Sequence, residues 1–175
     1  MSAAPAGPAP GPVEATARLT SDPATAEAAA RIHAAAFDGT TPGRPWSAAE
    51  IAGFAATPGA IALLDPDALL LGRRIGPEAE LVTLATRPEA RRRGLGRALC
   101  TRFAALCAAA GVEEIFLEVA ATNAPAQALY AALGWEPVGR RRNYYRDVNG
   151  TRIDAIAMRL RLGRNDGPAR IGEPA

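Results

Sequence analysis

Lysine is absent from this chain: all 20 basic residues are arginine. A phosphate loop of the GxxxxGK[ST] type is thereby excluded, because it needs the Lys. Arginine remains the better bidentate phosphate ligand. Histidine occurs once, at His33, and cysteine twice, at Cys100 and Cys107. One histidine and two distant cysteines make neither a catalytic triad nor a metal site, so no metal is expected. The two cysteines fall in one predicted helix, about 10 Å apart along its axis, too far to pair with each other. Unpaired thiols fit a reducing cytoplasm. No run approaches the roughly 18 apolar residues of a membrane span. The N-terminus lacks a basic segment followed by an apolar stretch, so neither membrane insertion nor secretion is expected. Aromatic residues are scarce (5%) and the net charge is only +2. Both argue against a specific nucleic-acid binder, which needs an extended basic face.

What is present is enough apolar material, 49% of 175 residues, for one core. Residues 1–14 are an Ala/Pro/Gly leader expected to be disordered, 15–162 form the domain, and 163–175 form a flexible tail. Within the domain, 16–20 reads as a short strand. Ser21, Asp22 and Pro23 open a helix running to about Phe37. Ser47-Ala-Ala-Glu50 is a capping box that opens a second helix. Three short strands follow at 60–64, 68–73 and 79–86. A helical period then places Leu95, Leu99, Phe103 and Leu106 on one face. Residues 113–120 alternate, with Ile115, Leu117 and Val119 on one side and Phe116 and Glu118 on the other. Asn123 caps a helix through Leu133. Strands at 135–142 and 152–162 flank an Asn149-Gly150 hairpin signal. The strand-helix-strand order in the middle implies a right-handed parallel crossover. The expected class is α/β, an α+β mixed sheet, mostly antiparallel with one parallel pair and helices on both faces.

The most informative segment is Arg91-Arg92-Arg93-Gly94-Leu95-Gly96-Arg97, between a predicted strand and a predicted helix. Two glycines let backbone approach a ligand. The first helical N–H groups are unpaired, the helix dipole favours anions there, and four arginines surround the spot. Together these suit a pyrophosphate. A dinucleotide fingerprint fits poorly. The third glycine is replaced by Leu99, and Glu113 and Glu114 begin a strand rather than end one.

Arg91-x-x-Gly94-x-Gly96 resembles the Q/R-x-x-G-x-G/A signature of the GNAT acetyltransferase superfamily. Leu117-Glu118-Val119, Asn123, Ala128-Leu129-Tyr130, Leu133-Gly134-Trp135 and Arg142-Asn143-Tyr144-Tyr145 follow in order. That series resembles the bacterial ribosomal-protein alanine N-acetyltransferases, as does Pro45-Trp46-Ser47. The resemblance is close over 80–160 and looser before. It implies the GNAT fold and acetyl-CoA as cosubstrate. Leu84, Ala85 and Thr86 would pair with the pantetheine arm. Arg92, Arg93, Gly94, Leu95, Gly96 and Arg97 would hold the pyrophosphate. Asn123 would lie near the cofactor, a role compatible with an ordinary N-cap. Glu118 would be the general base and Tyr130 the general acid, although each also fits a structural role. Tyr144 and Tyr145 would border the acceptor groove, or simply pack the sheet edge.

The resemblance implies acetylation of the N-terminal alanine of a ribosomal protein, by a cytoplasmic protein favoured as a monomer. The nearest alternative acceptors are a Lys side chain or a small amine, since the stretch 38–71 departs from the family. A non-catalytic acetyl-CoA-binding or ribosome-associated module is the alternative of another class.

Overall fold

The computed structural model describes residues 17–18, 22–37, 43–147 and 149–163; the expected leader and nearly all of the expected tail lie outside them. In chain order the elements are β1 (Ala17–Arg18), α1 (Pro23–Ala36), α2 (Ala48–Ala55), β2 (Ala60–Asp65), β3 (Ala68–Ile75), β4 (Glu78–Thr86), a 3-10 turn (Pro88–Ala90), α3 (Leu95–Ala109), β5 (Glu114–Ala120), α4 (Ala124–Ala131), β6 (Glu136–Arg146) and β7 (Arg152–Arg161). The strands form one sheet in the order β1-β2-β3-β4-β5-β7-β6. Only β4 and β5 pair in parallel, across the α3 crossover; every other pair is antiparallel. The expected mixed sheet and its single parallel pair are therefore present.

Local chemistry sets the helix starts. Asp22 caps α1, its carboxylate accepting the Thr25 N–H at 3.1 Å. Ser47 and Glu50 cap α2 reciprocally: Ser47 Oγ accepts from the Glu50 N–H (3.3 Å), and Glu50 Oε2 accepts from the Ser47 N–H (2.8 Å). Asn123 Oδ1 accepts the Ala126 N–H at 3.2 Å and starts α4. That helix ends at Ala131, two residues before the expected Leu133.

Two clusters of buried side chains lie on opposite faces of the sheet. On one face α1 and α2 bring Ala29, Ile32 and Ile51 against Ala62, Leu69 and Leu71. On the other α3 and α4 bring Leu99, Phe103 and Tyr130 against Leu63, Leu70, Leu81 and Leu117. Strand β3 supplies both faces by simple alternation. Strand β4 does not alternate throughout. Its register against β3 steps from Thr83 opposite Leu71 to Leu81 opposite Gly72, so Val82 is an extra residue. Ala79 and Leu81 consequently face the α3 side, whereas Ala85, beyond the bulge, faces α1 and α2.

Strand β6 runs four residues past its expected end at Arg142. Its pairing with β7 jumps from Arg141 opposite Ala155 to Tyr145 opposite Ile153. Asn143 takes a positive φ of 57° inside this bulge. Asp154 secures it, accepting the Asn143 N–H at 2.8 Å and Arg140 Nε at 2.7 Å.

Candidate active site

The parallel ladder is short. β4 and β5 pair from Glu78 opposite Glu114 to Leu81 opposite Leu117 and no further. β4 nevertheless continues to Thr86 and β5 to Ala120. The bulge at Val82 lies just where they part, and the backbone of residues 82–86 has no strand partner on the β5 side. Three of the residues expected at the cofactor, Leu84, Ala85 and Thr86, lie on this freed stretch. Ala85 is buried against α1 and α2, and Leu84 packs toward α3.

The α3 N-terminus meets the same opening. A Cβ built on Gly96 would lie 3.5 Å from Leu84 Cδ2 and 3.2 Å from Leu129 Cδ2. The first turn of α3 is therefore wedged between freed β4 and α4. Gly94 is the N-cap, with φ +85°, and a Cβ there would meet nothing within 4 Å. The backbone at Gly94 thus faces open space. The first bond into the helix runs from the Ala98 N–H to Gly94 O at 3.0 Å, so the amides of Leu95, Gly96 and Arg97 precede the ladder.

Arg92 also has a positive φ, 66°. Arg93 reaches Asp67 Oδ2 at 3.4 Å, and Arg87 Nε stands 3.7 Å from Asp67 Oδ1. Arg91 donates to Ala36 O at 3.4 Å, which turns it toward α1. Among the described residues Arg92 and Arg97 make no ion pair. An uncrowded glycine, unpaired helix amides and exposed arginines fit a diphosphate.

Glu118 is the first β5 residue past the paired rungs. Its side chain shares a face with Phe116, opposite Leu117 and Val119. Helices α1 and α2 pack on β2 to β4, and no residue of β5, β6 or β7 joins their cluster. The carboxylate is 20% exposed, and Oε1 stands 2.6 Å from Arg141 Nε on β6. The Tyr144 hydroxyl also donates to this carboxylate, which pushes the Tyr144 phenol above its ordinary range. The Tyr145 hydroxyl donates to Glu118 O at 3.2 Å. Burial, followed by the charge of Glu118, lifts Tyr145 to about 12. Both tyrosines expected at the acceptor groove therefore touch Glu118, one through its side chain and one through its backbone. No motif in the sequence singles out Arg141. Its partner is internal.

Tyr130 is 5% exposed, with its ring 5.7 Å from that of Trp135. Burial, with Cys100 and Tyr145 adding, pushes its phenol far above the ordinary value, so it stays protonated. Asn123 sits where β5 hands over to α4. Gln127, which the sequence did not single out, ties the two by donating to Ala120 O and Ala121 O, both at 3.1 Å. Cys100 and Cys107 are buried in the α3 core; burial raises them to about 12 and about 11. His33 is buried too. Its Nδ1 accepts the Trp46 N–H at 3.2 Å, so Nε2 carries the proton and donates to Thr83 Oγ1 at 3.1 Å. Among the described residues no three metal-ligating side chains gather, and no helix is long and apolar enough to cross a membrane.

A freed β4, a glycine-led helix start beside it and a carboxylate at the fork meet at one opening of the sheet. The GNAT acetyltransferase family model matches residues 19–135, and the chain belongs to that family. Among curated relatives, the [ribosomal protein bS18]-alanine N-acetyltransferase of Escherichia coli strain K12 is 46% identical over 83 residues, 47% of this chain and 55% of that protein. The N-alpha-acetyltransferase RimI of Mycobacterium tuberculosis is 41% identical over 93 residues, 53% of this chain and 55% of that one. The chain thus spans about half the length of the curated relatives it matches. The crystal structure of the Escherichia coli ribosomal-protein-S18-alanine N-acetyltransferase aligns over 82% of this chain and 94% of its own, with 33% identity and a TM-score of 0.70.

Proposed function

We propose that this chain is a cytoplasmic N-acetyltransferase that moves the acetyl group of acetyl-CoA to the N-terminal α-amine of a ribosomal protein beginning with Ala. The observation that carries the reading is the end of the β4–β5 ladder at Leu81 and Leu117. It leaves backbone free on one side of the fork and Glu118 on the other, with the α3 amides alongside. The likeness to the bS18-alanine enzymes supports the acceptor.

The cosubstrate supplies an activated acyl thioester. The amides of 95–97 with Arg92, Arg93 and Arg97 hold its diphosphate, and residues 84–86 offer backbone to its arm. Asn123 stands near it while capping α4. A backbone N–H near Ala85 donates to the thioester oxygen as charge develops there. Glu118 takes the proton of the attacking amine, directly or through water. An α-amine has a reference pKa of about 7.7 to 8.0, so a modest base suffices. Tyr130 returns a proton to the leaving thiolate. Tyr144 and Tyr145 line the acceptor side.

The test is mass spectrometry of purified ribosomal proteins and Ala-starting peptides after incubation with acetyl-CoA and the protein. Addition of one acetyl group at an N-terminal alanine is the expected result. Acetylation confined to Lys side chains or small amines would overturn the acceptor assignment.

A further inference from the structure

The sheet surface around Glu118 is built so that a long side chain can cross it. Glu118 lies opposite Ala157 on β7, and Ala157 lies opposite Gly139 on β6. The next rung on this face is Ala120, Ala155 and Arg141. Directly opposed residues share a face, so Arg141 and Glu118 stand on one surface with only alanine and glycine between them. Across this low floor the guanidinium reaches the carboxylate, Nε to Oε1 at 2.6 Å. The Arg141 side chain is 64% exposed, whereas Glu118 is 20% exposed. The arginine reaches in from solvent, and its guanidinium also lies 5.6 Å from the Tyr144 ring centroid.

We propose that Arg141 is an internal stand-in for the acceptor: it occupies Glu118 in the free protein and is displaced by the ammonium of the incoming N-terminus. This rests on Glu118 being the base. One carboxylate balances one positive charge, and two cations on it repel each other. A guanidinium does not give up its proton in proteins, so the pair with Arg141 is unreactive. An α-ammonium does give up its proton. Exchange of one cation for the other therefore converts a capped carboxylate into a working one. The outgoing guanidinium is mostly exposed already, so it returns to water at little cost. The pairing also sets a chemical filter, because an acceptor must bring an amine cation able to compete with arginine.

The experiment is steady-state kinetics with an Ala-starting peptide on wild type, Arg141→Ala and Arg141→Lys. Removing the guanidinium should lower the acceptor KM roughly 2- to 5-fold, the scale of an exposed ion pair, and leave the acetyl-CoA KM alone. Arg141→Lys keeps a cation and should stay near wild type. Methylguanidinium should compete with the peptide more strongly in Arg141→Ala than in wild type. A fall in kcat with the acceptor KM unchanged or raised would overturn the proposal, because Arg141 would then be positioning Glu118. A second readout needs no turnover: the Arg141 Nε–H resonance should shift on Glu118→Gln and on saturation with peptide. An unmoved resonance would also sink the idea. Full turnover in Glu118→Gln would instead remove the base reading, whatever Arg141 does.

Discussion

His33 shows how a single side chain couples the two halves of the site region. It joins the segment before α2, through the Trp46 N–H, to Thr83 on freed β4. Burial, with Arg44 adding and Glu50 opposing, holds it at about 4. The unfolded chain takes up a proton near pH 6.5 and the native protein does not. Stability is therefore full above that value and is lost as pH falls toward 4. From about pH 7 to about pH 5 the loss reaches at most about 2 kcal/mol, less whatever solvent screening relieves. Chemical denaturation across that range should show the slope in wild type and a flatter profile in His33→Phe. Glu118→Gln should cut turnover roughly 10²- to 10⁴-fold while acetyl-CoA affinity, measured by calorimetry, stays nearly intact. At this scale the sequence pointed to Glu118 and Tyr130 through their motif. It pointed to neither Arg141 nor Thr83 as partners, because both lie on strands whose register is set elsewhere.

Among the elements, the start of α3 was the most legible. Its glycines and arginines are contiguous, and helix-start chemistry acts within one turn. Gly94 is required for its left-handed φ rather than for space. A β-branched replacement such as Gly94→Val should cost at least about 1–2 kcal/mol. It should also weaken coenzyme A binding, and calorimetry together with thermal melts reads both effects. Gly72 is the reverse case. A Cβ there would lie 2.4 Å from the Phe103 ring and 2.8 Å from Glu80 O. Gly72→Ala should therefore destabilise by about 1–3 kcal/mol through overpacking, seen as a lower Tm. Nothing near Gly72 in the chain announces this, since Phe103 arrives from α3. The bulges of β4 and β6 were hidden for a similar reason. An extra residue such as Val82 is defined only against the partner strand.

At the scale of the whole molecule, β3 binds the two clusters into one folding unit. Leu69 and Leu71 serve one face and Leu70 the other, so neither cluster can open without stripping the strand they share. The chain has two tryptophans. Trp46 packs against the α1–α2 cluster and Trp135 belongs to the α3–α4 cluster. Single-tryptophan variants, Trp46→Phe and Trp135→Phe, should therefore report coincident denaturation transitions within each variant by fluorescence and circular dichroism. Separate midpoints would show that the faces unfold independently.

The sequence by itself determined the order of elements, the helix caps at Asp22, Ser47 and Asn123, the parallel crossover and the glycine-led start of α3. Each depends on residues within a few positions of one another, where periodicity, capping and turn chemistry act. The tertiary structure alone decided where β4 leaves β5, which face Ala85 takes after Val82, what lies over Gly72 and which cation holds Glu118. Those outcomes depend on strand register and on side chains meeting across the sheet, and only long-range pairing sets them.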